Sequence, residues 1–268
     1  MSKKEAPGQR SSVLTGIPLD FLRWIILGLL LGVATTSWIL LRTWGSRTGS
    51  IMEGPSMGIG AFTFLTAWTV MMVAMMFPTA APMILMFARV QAGKRQQGKA
   101  FVATWILVAG YLVLWIAFGL AVYGLAVAIE RVVDQAGIAA TSLARAGGLL
   151  ILLAGLYQLS PLKRACLAHC RSPLHFVLNQ WRDGALGALV MGVRHGVYCL
   201  GCCWLLFLLL LPLGFMNIGA MLLLTALIFA EKALPFSRPV RIAAAGALAT
   251  WGTLILFDPR FLPVTMGM

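Results

Sequence analysis

The sequence predicts an all-α fold, a polytopic transmembrane helical bundle of about seven spans. Three observations carry this expectation. The chain of 268 residues is 60% hydrophobic and 11% charged, with a mean hydropathy of +0.90. Several of its apolar stretches exceed the roughly 18 residues that mark a membrane span. The Lys and Arg residues behind its net charge of +13 gather mostly between those stretches. A soluble domain has no means of hiding so much apolar surface. In lipid, each span must satisfy its own backbone polar groups, which a helix does. In a soluble protein, such a charge would point to nucleic acid. Here the basic patches lack an interleaved soluble fold, and nucleic-acid binding is not supported. They fit basic loops beside an anionic lipid bilayer instead.

In chain order, residues 1–18 are polar and basic and read as a disordered cytoplasmic N-terminus. The transmembrane domain occupies 19–258, with spans at about Leu19–Leu41, Ala61–Ala88, Ala100–Ile129, Leu143–Leu159, Leu186–Leu213, Phe215–Ala233 and Val240–Phe257. The first has no clear small-residue cleavage site and reads as a retained span. Between spans four and five, residues 161–184 form a basic Cys/His loop. Within it, Leu174, Val177, Leu178 and Trp181 repeat at helical spacing after Pro173, which suggests a short amphipathic helix at the interface. A short tail, 259–268, ends the chain. The loops after spans two, four and six are the basic ones: Arg89/Lys94/Arg95/Lys99, Lys163/Arg164/Arg171/Arg182 and Lys232/Arg238/Arg241. The positive-inside rule then places the N-terminus in the cytoplasm and the C-terminus outside.

The chemistry concentrates in span five. On a helix at about 100° per residue, Met191, His195, Cys199 and Cys202 share an arc of roughly 80°, with Cys203 at its edge. Adjacent side chains on that stripe are one turn apart, close enough to share a metal ion. Before it, Cys166, His169 and Cys170 offer three further ligands within two turns. On the reducing side of a membrane these cysteines are not a disulfide framework. Their spacing is not a standard zinc-finger pair. Span two adds Met71, Met72, Met75, Met76, Met83 and Met86 within an arc of about 140°. Thioether and thiolate sulfur suit Cu(I), while Cys and neutral His suit zinc as well. Methionine and free cysteine also pack well in helix interfaces, so a structural role competes with each of these readings. Pro78 and Pro82 are expected to interrupt span two and free backbone carbonyls.

A tight turn around Gly214 would make spans five and six an antiparallel hairpin. Counting equal distances from that turn brings Glu231 level with His195 and Cys199, about 25 Å from the turn at 1.5 Å per residue. A Glu at that depth needs a partner. The candidates are His195, Lys232, Arg194 or a metal. Gly93 to Ala100 nearly spells a phosphate-binding loop, but Ala100 replaces the required Ser or Thr and the stretch follows a span rather than a strand.

Several stretches together resemble the DUF2182 family of predicted metal-binding integral membrane proteins of bacteria. They are Met71 to Thr79, Tyr157 to Lys163, Cys166 to Leu174, His195 to Trp204, Met216-Asn217 and Glu231-Lys232, within about residues 60–235. The resemblance implies an association with metal, usually taken as copper, and brings no established reaction.

The expectation is therefore a multi-pass protein of the bacterial inner membrane that binds a soft metal, Cu(I) ahead of zinc. It would serve metal delivery, insertion or transport without nucleotide hydrolysis. His195, Cys199 and Cys202 would be the first ligands, with Cys203 in reserve and Glu231 at the same depth. Cys166, His169 and Cys170 would capture or release the ion, and Met72, Met76 and Met83 would offer a weaker path through the bilayer. A metallochaperone or a copper-enzyme client would be the partner. Two other functions fit the residues: a membrane thiol-redox enzyme using Cys199 to Cys203, and a non-catalytic scaffold subunit. Haem ligation by His195 with Met191 or Met216 fits less well, because no Cys-x-x-Cys-His motif is present.

Overall fold

The computed structural model describes residues 19–48, 56 and 58–262. The N-terminal segment 1–18 and the end of the tail, 263–268, lie outside the described residues. Helix α1 (Leu19–Thr48) leads to α2 (Ala61–Gln96), α3 (Thr104–Ala136) and α4 (Ala140–Gln158). Two short helices follow, α5 (Pro161–Arg171) and α6 (Pro173–Gln180). Then come α7 (Gly184–Leu208), the single turn α8 (Leu210–Leu213), α9 (Ile218–Ala233) and α10 (Ser237–Phe257). No strand occurs among the described residues, and the all-α bundle is as expected.

Among the described residues, six helical segments are long and apolar enough to cross a bilayer: Arg23–Gly45, Ala61–Gln96, Thr104–Ala136, Ala140–Gln158, Gly184–Leu213 and Ser237–Phe257. The expected sixth of seven spans is the exception. It becomes α9, a helix of 16 residues. At 1.5 Å per residue that is about 24 Å, short of a hydrocarbon core of about 30 Å. Gly214, at φ 86°, takes a left-handed turn that residues with a Cβ rarely adopt, and residues 214–217 are spent in the connection.

Helix α2 is the centre of the bundle. Phe64, Trp68 and the methionines from Met71 to Met83 are all buried along it. Pro78 and Pro82 do not interrupt it, and the helix runs through both. A proline at position 78 cannot bond the carbonyl four residues earlier. That carbonyl, on Ala74, instead accepts from the Trp38 indole of α1 at 3.2 Å. A neighbouring helix thus supplies the donor that the proline lacks, as membrane helices with internal proline require.

The pairing of the other helices is set by small residues. Helix α3 lies along α7, and α4 along α10. A Cβ at Gly192 would stand 2.0 Å from the Leu107 carbonyl oxygen, and one at Gly110 would stand 2.2 Å from that of Leu189. Only glycine lets the α3 and α7 backbones approach so closely. Helix α9 rests mainly on α10 and α2 and barely touches α7, because α8 opens the hairpin expected there.

The segment 161–184, expected as a loop with one amphipathic helix, is largely helical. Ser160 caps α5 by accepting from Lys163 N at 3.1 Å, and Pro161 sits in the first turn. Both are standard helix-start signals. In α6 the buried pair is Phe176 and Val177, while Leu174 and Leu178 are exposed. Trp181 lies beyond α6 and stacks on Phe87 of α2 at 5.7 Å. Helix α5 packs against α7, and α6 against α2, which brings Cys166 and Cys170 to the cysteine face of α7.

Candidate metal centre

Helix α7 buries Met191, His195, Cys199, Cys202 and Cys203, the stripe drawn by helical spacing. Cys199 is its centre. The Lys232 ammonium donates to Cys199 Sγ at 3.0 Å. The Tyr111 hydroxyl lies 3.1 Å from the same sulfur. Cys202 and Cys203 donate their thiols to the Cys199 carbonyl at 3.0 and 2.8 Å. From α5, the half-buried Cys170 thiol reaches hydrogen-bonding range of both Cys199 and Cys202. The neighbouring sulfurs of Cys199, and then of Cys202, raise its thiol well above the usual range. Cys166 faces α7 at Gly201, where an added Cβ would stand 2.6 Å from its sulfur. Beside it, the Tyr157 hydroxyl donates to the Gly201 carbonyl at 2.5 Å. All five cysteines are free thiols.

A polar chain links this cluster to the methionine helix. Lys232 also donates to Thr79 Oγ1 at 3.4 Å, and Thr79 donates to the Met76 carbonyl at 2.9 Å. Met72, Met76 and Met83 are all at or below 1% exposure. Of these three, Met76 is the one that the polar chain reaches.

His195 is buried between the rings of Tyr111 and Phe176, at centroid distances of 5.7 and 5.6 Å. Its Nδ1 has no hydrogen-bond partner among the described residues. It sits one turn before Cys199 on the same helix. His169 is engaged elsewhere. Its ring lies flat on Tyr198 at 4.2 Å, and its Nδ1 bonds the Ala165 carbonyl at 2.9 Å.

Glu231 occupies the expected depth, since its neighbour Lys232 reaches Cys199. Its carboxylate pairs with Lys163 of α5 at 2.7 Å, with both side chains at or below 2% exposure. Lys163 was not among the partners that the sequence proposed. Arg194, another of those partners, bonds Gln180 instead. Arg171 fastens the end of α9 by donating to the Glu231 and Leu234 carbonyls at 3.1 and 2.8 Å.

Among the described residues, no group of three His, Cys, Asp or Glu side chains is arranged to hold a metal ion as it stands. The cluster is a set of free thiols, two of them bonded to the Cys199 carbonyl, with the Cys199 sulfur bonded by a cation and a phenol. Sequence reasoning missed Tyr111, Thr79 and Lys163. A Tyr within an apolar helix and a Lys directly after a span were the available signals, since polar groups at membrane depth need partners.

A family model described as the copper chaperone PpoB2 matches residues 65–255. The chain belongs to that family. The match includes α7, α5, α9 and most of α2, so every residue of the thiol cluster falls inside it. No curated protein and no solved structure matches the chain. Membership in a copper chaperone family agrees with the copper association expected from the cysteines, histidine and methionines.

Proposed function

We propose that this protein carries Cu(I) on the thiol cluster of α5 and α7 and passes it to another protein or across the membrane. The observation that supports this most is that Cys170 of α5 lies within reach of Cys199 and Cys202 of α7, where Lys232 bonds the Cys199 sulfur. Soft sulfur ligands select Cu(I), and a small set of them suffices for it. Two thiolates on Cu(I) leave one net negative charge, which in a low-dielectric interior must be neutralised. The Lys232 ammonium is within 3.0 Å of the sulfur that would carry it.

Binding requires thiol protons to leave and sulfurs to turn. Cys202 and Cys203 now point at the Cys199 carbonyl, and a rotation about one bond would bring either thiol towards the ion. Cys166 and His195 stand next to the set as further ligands, and Met76 at the end of the polar chain would lead onward through α2. The basic ends of α2 and α5 favour a cytoplasmic position for the cluster in a bacterial inner membrane. In that orientation the N-terminus is cytoplasmic, and a metallochaperone or a copper-enzyme client is the partner.

The test is elemental analysis of protein purified in mild detergent under reducing conditions. Wild type is compared with the triple variant His195→Ala, Cys199→Ala, Cys202→Ala. Near-stoichiometric copper that disappears in the variant is the expected result. Zinc lost in the same way would keep the site and replace its metal. Absence of metal from both proteins would overturn the reading.

A further inference from the structure

Beside the thiol cluster lies a cavity of about 540 Å³, bounded by α1, α2, α5, α6 and α9. Its volume falls in the range of small-molecule sites. Four cationic side chains line it, one from each of four helices: Arg23 of α1, Arg89 of α2, Arg171 of α5 and Lys232 of α9. No Asp or Glu among the described residues lines it. Cys170 and Thr79 also line it, so the cavity ends on a thiol of the cluster and on the ammonium that holds Cys199. The rest of the wall is apolar, from residues such as Pro78, Pro82 and Met86.

We propose that this cavity is the exchange portal of the copper site and receives Cu(I) as an anionic complex with a small thiol that bears carboxylates. The inference rests on the copper reading above and names the form in which the metal arrives. The cations serve two purposes. All four raise the local concentration of an anionic carrier, and Arg23 and Arg89 are placed to donate charge-assisted hydrogen bonds to its carboxylates, while Arg171 and Lys232 are already engaged with the Glu231 and Leu234 carbonyls and with Cys199. Cys170 is the thiol on the cavity wall, and it lies within reach of Cys199.

The exchange balances without an oxidant. One carrier sulfur–copper bond breaks as a Cys170 sulfur–copper bond forms, and the second carrier bond is replaced by Cys199. Each protein thiol gives its proton to a departing carrier thiolate, which leaves as the neutral thiol. Copper stays Cu(I) throughout, and the single negative charge of the bis-thiolate ends beside Lys232. An anionic lipid headgroup is the other chemistry that a basic pocket between membrane helices attracts. The thiol on the wall favours a thiol carrier, and the experiment separates the two.

Full-length protein in phosphatidylcholine nanodiscs is mixed with Cu(I) presented by glutathione, by β-mercaptoethanol or by cysteamine. Copper retained after rapid desalting gives the uptake rate. For each carrier the readout is the ratio of the wild-type rate to that of Arg23→Glu/Arg89→Glu, with Arg23→Gln/Arg89→Gln as the milder pair. The expected ratio is about tenfold for anionic glutathione, from electrostatic steering. It is smaller for the β-mercaptoethanol complex, whose single negative charge lies on the bis-thiolate itself, and below unity for the cysteamine complex, which is net positive. Ratios that do not depend on carrier charge would overturn the portal while leaving the copper site standing. A glutathione effect that vanishes when phosphatidylglycerol is added to the discs would assign the cations to lipid and likewise overturn it. Uptake from no carrier would remove the copper reading and the portal together.

Discussion

Lys163 Nζ and Glu231 Oε2 lie 2.7 Å apart, sealed from solvent, and join α5 to α9. The pair decides where α5 sits, and α5 carries Cys166 and Cys170 to α7. Removing one partner leaves an unpaired buried charge, which costs about 3–5 kcal/mol. We expect Lys163→Met or Glu231→Leu to lower the thermal unfolding midpoint in detergent strongly. The double variant should recover most of the loss, because an apolar pair of similar size often replaces a buried ion pair at little cost. Single variants as stable as wild type would show that the pair does not anchor α5.

Lys232 is the counter-charge of Cys199. Replacing it by Met leaves the sulfur set intact and removes the ammonium. A hydrogen bond to a charged group contributes about 1.5–3 kcal/mol, so Cu(I) affinity should fall roughly ten- to a hundredfold. Competition against a chromophoric Cu(I) chelator measures it. An unchanged affinity would mean that the charge of the bound state is balanced by another group.

The α3–α7 contact depends on two glycines. Gly192→Ala would push a methyl group to 2.0 Å from the Leu107 carbonyl oxygen, and Gly110→Ala to 2.2 Å from that of Leu189. Backbone has little freedom to retreat, and overpacking of this kind costs about 1–3 kcal/mol. Tyr111 belongs to α3, so parting the helices also draws its hydroxyl from Cys199. Gly124→Ala serves as the control, since nothing lies within 4 Å of its added methyl group. The control should be neutral or slightly stabilising while both contact variants lose stability. Equal midpoints for all three would remove the close-packing account.

At the end of α2, Asp183 accepts from Lys94 at 2.5 Å and from the Trp181 indole at 3.0 Å. The Lys94 hydrogen bond first, then that of Trp181, hold its carboxyl below the usual carboxylate range. A depressed carboxyl contributes stability above its unfolded pKa, about 3.9, and the contribution fades as pH falls through the lower folded value. The pair is exposed, so its effect on stability at neutral pH is small. Trp181 lies 4.7 Å beneath the Lys94 ammonium, so the difference in tryptophan emission between wild type and Asp183→Asn reports the contact among the nine tryptophans. The emission should hold steady down to the ordinary carboxylate range and change below it. Asp183→Asn should abolish that acid change and leave the midpoint nearly unmoved. A titration that persists in the variant would assign it to another group.

The sequence by itself determined the helical class, the course of the long spans and the His195–Cys199–Cys202 stripe. These follow from composition and from a period of 3.6 residues, which are local properties and survive any arrangement of the helices. Counting back from Gly214 also gave the depth of residues 231–232, because rise per residue is local too. Only the tertiary structure decided who partners whom. Glu231 and Lys232 are adjacent in sequence, yet one turns to Lys163 on α5 and the other to Cys199 on α7. Tyr111, 88 positions before Cys199, meets it because two glycines let α3 and α7 touch. Trp38 completes the backbone of α2 at Ala74 for the same kind of reason. The shortness of α9 was hidden as well, since an apolar stretch does not tell how many of its residues a turn will take. Burial leaves polar groups no water to bond, so each must find a protein partner, and which partner is within reach is a property of the packed helices.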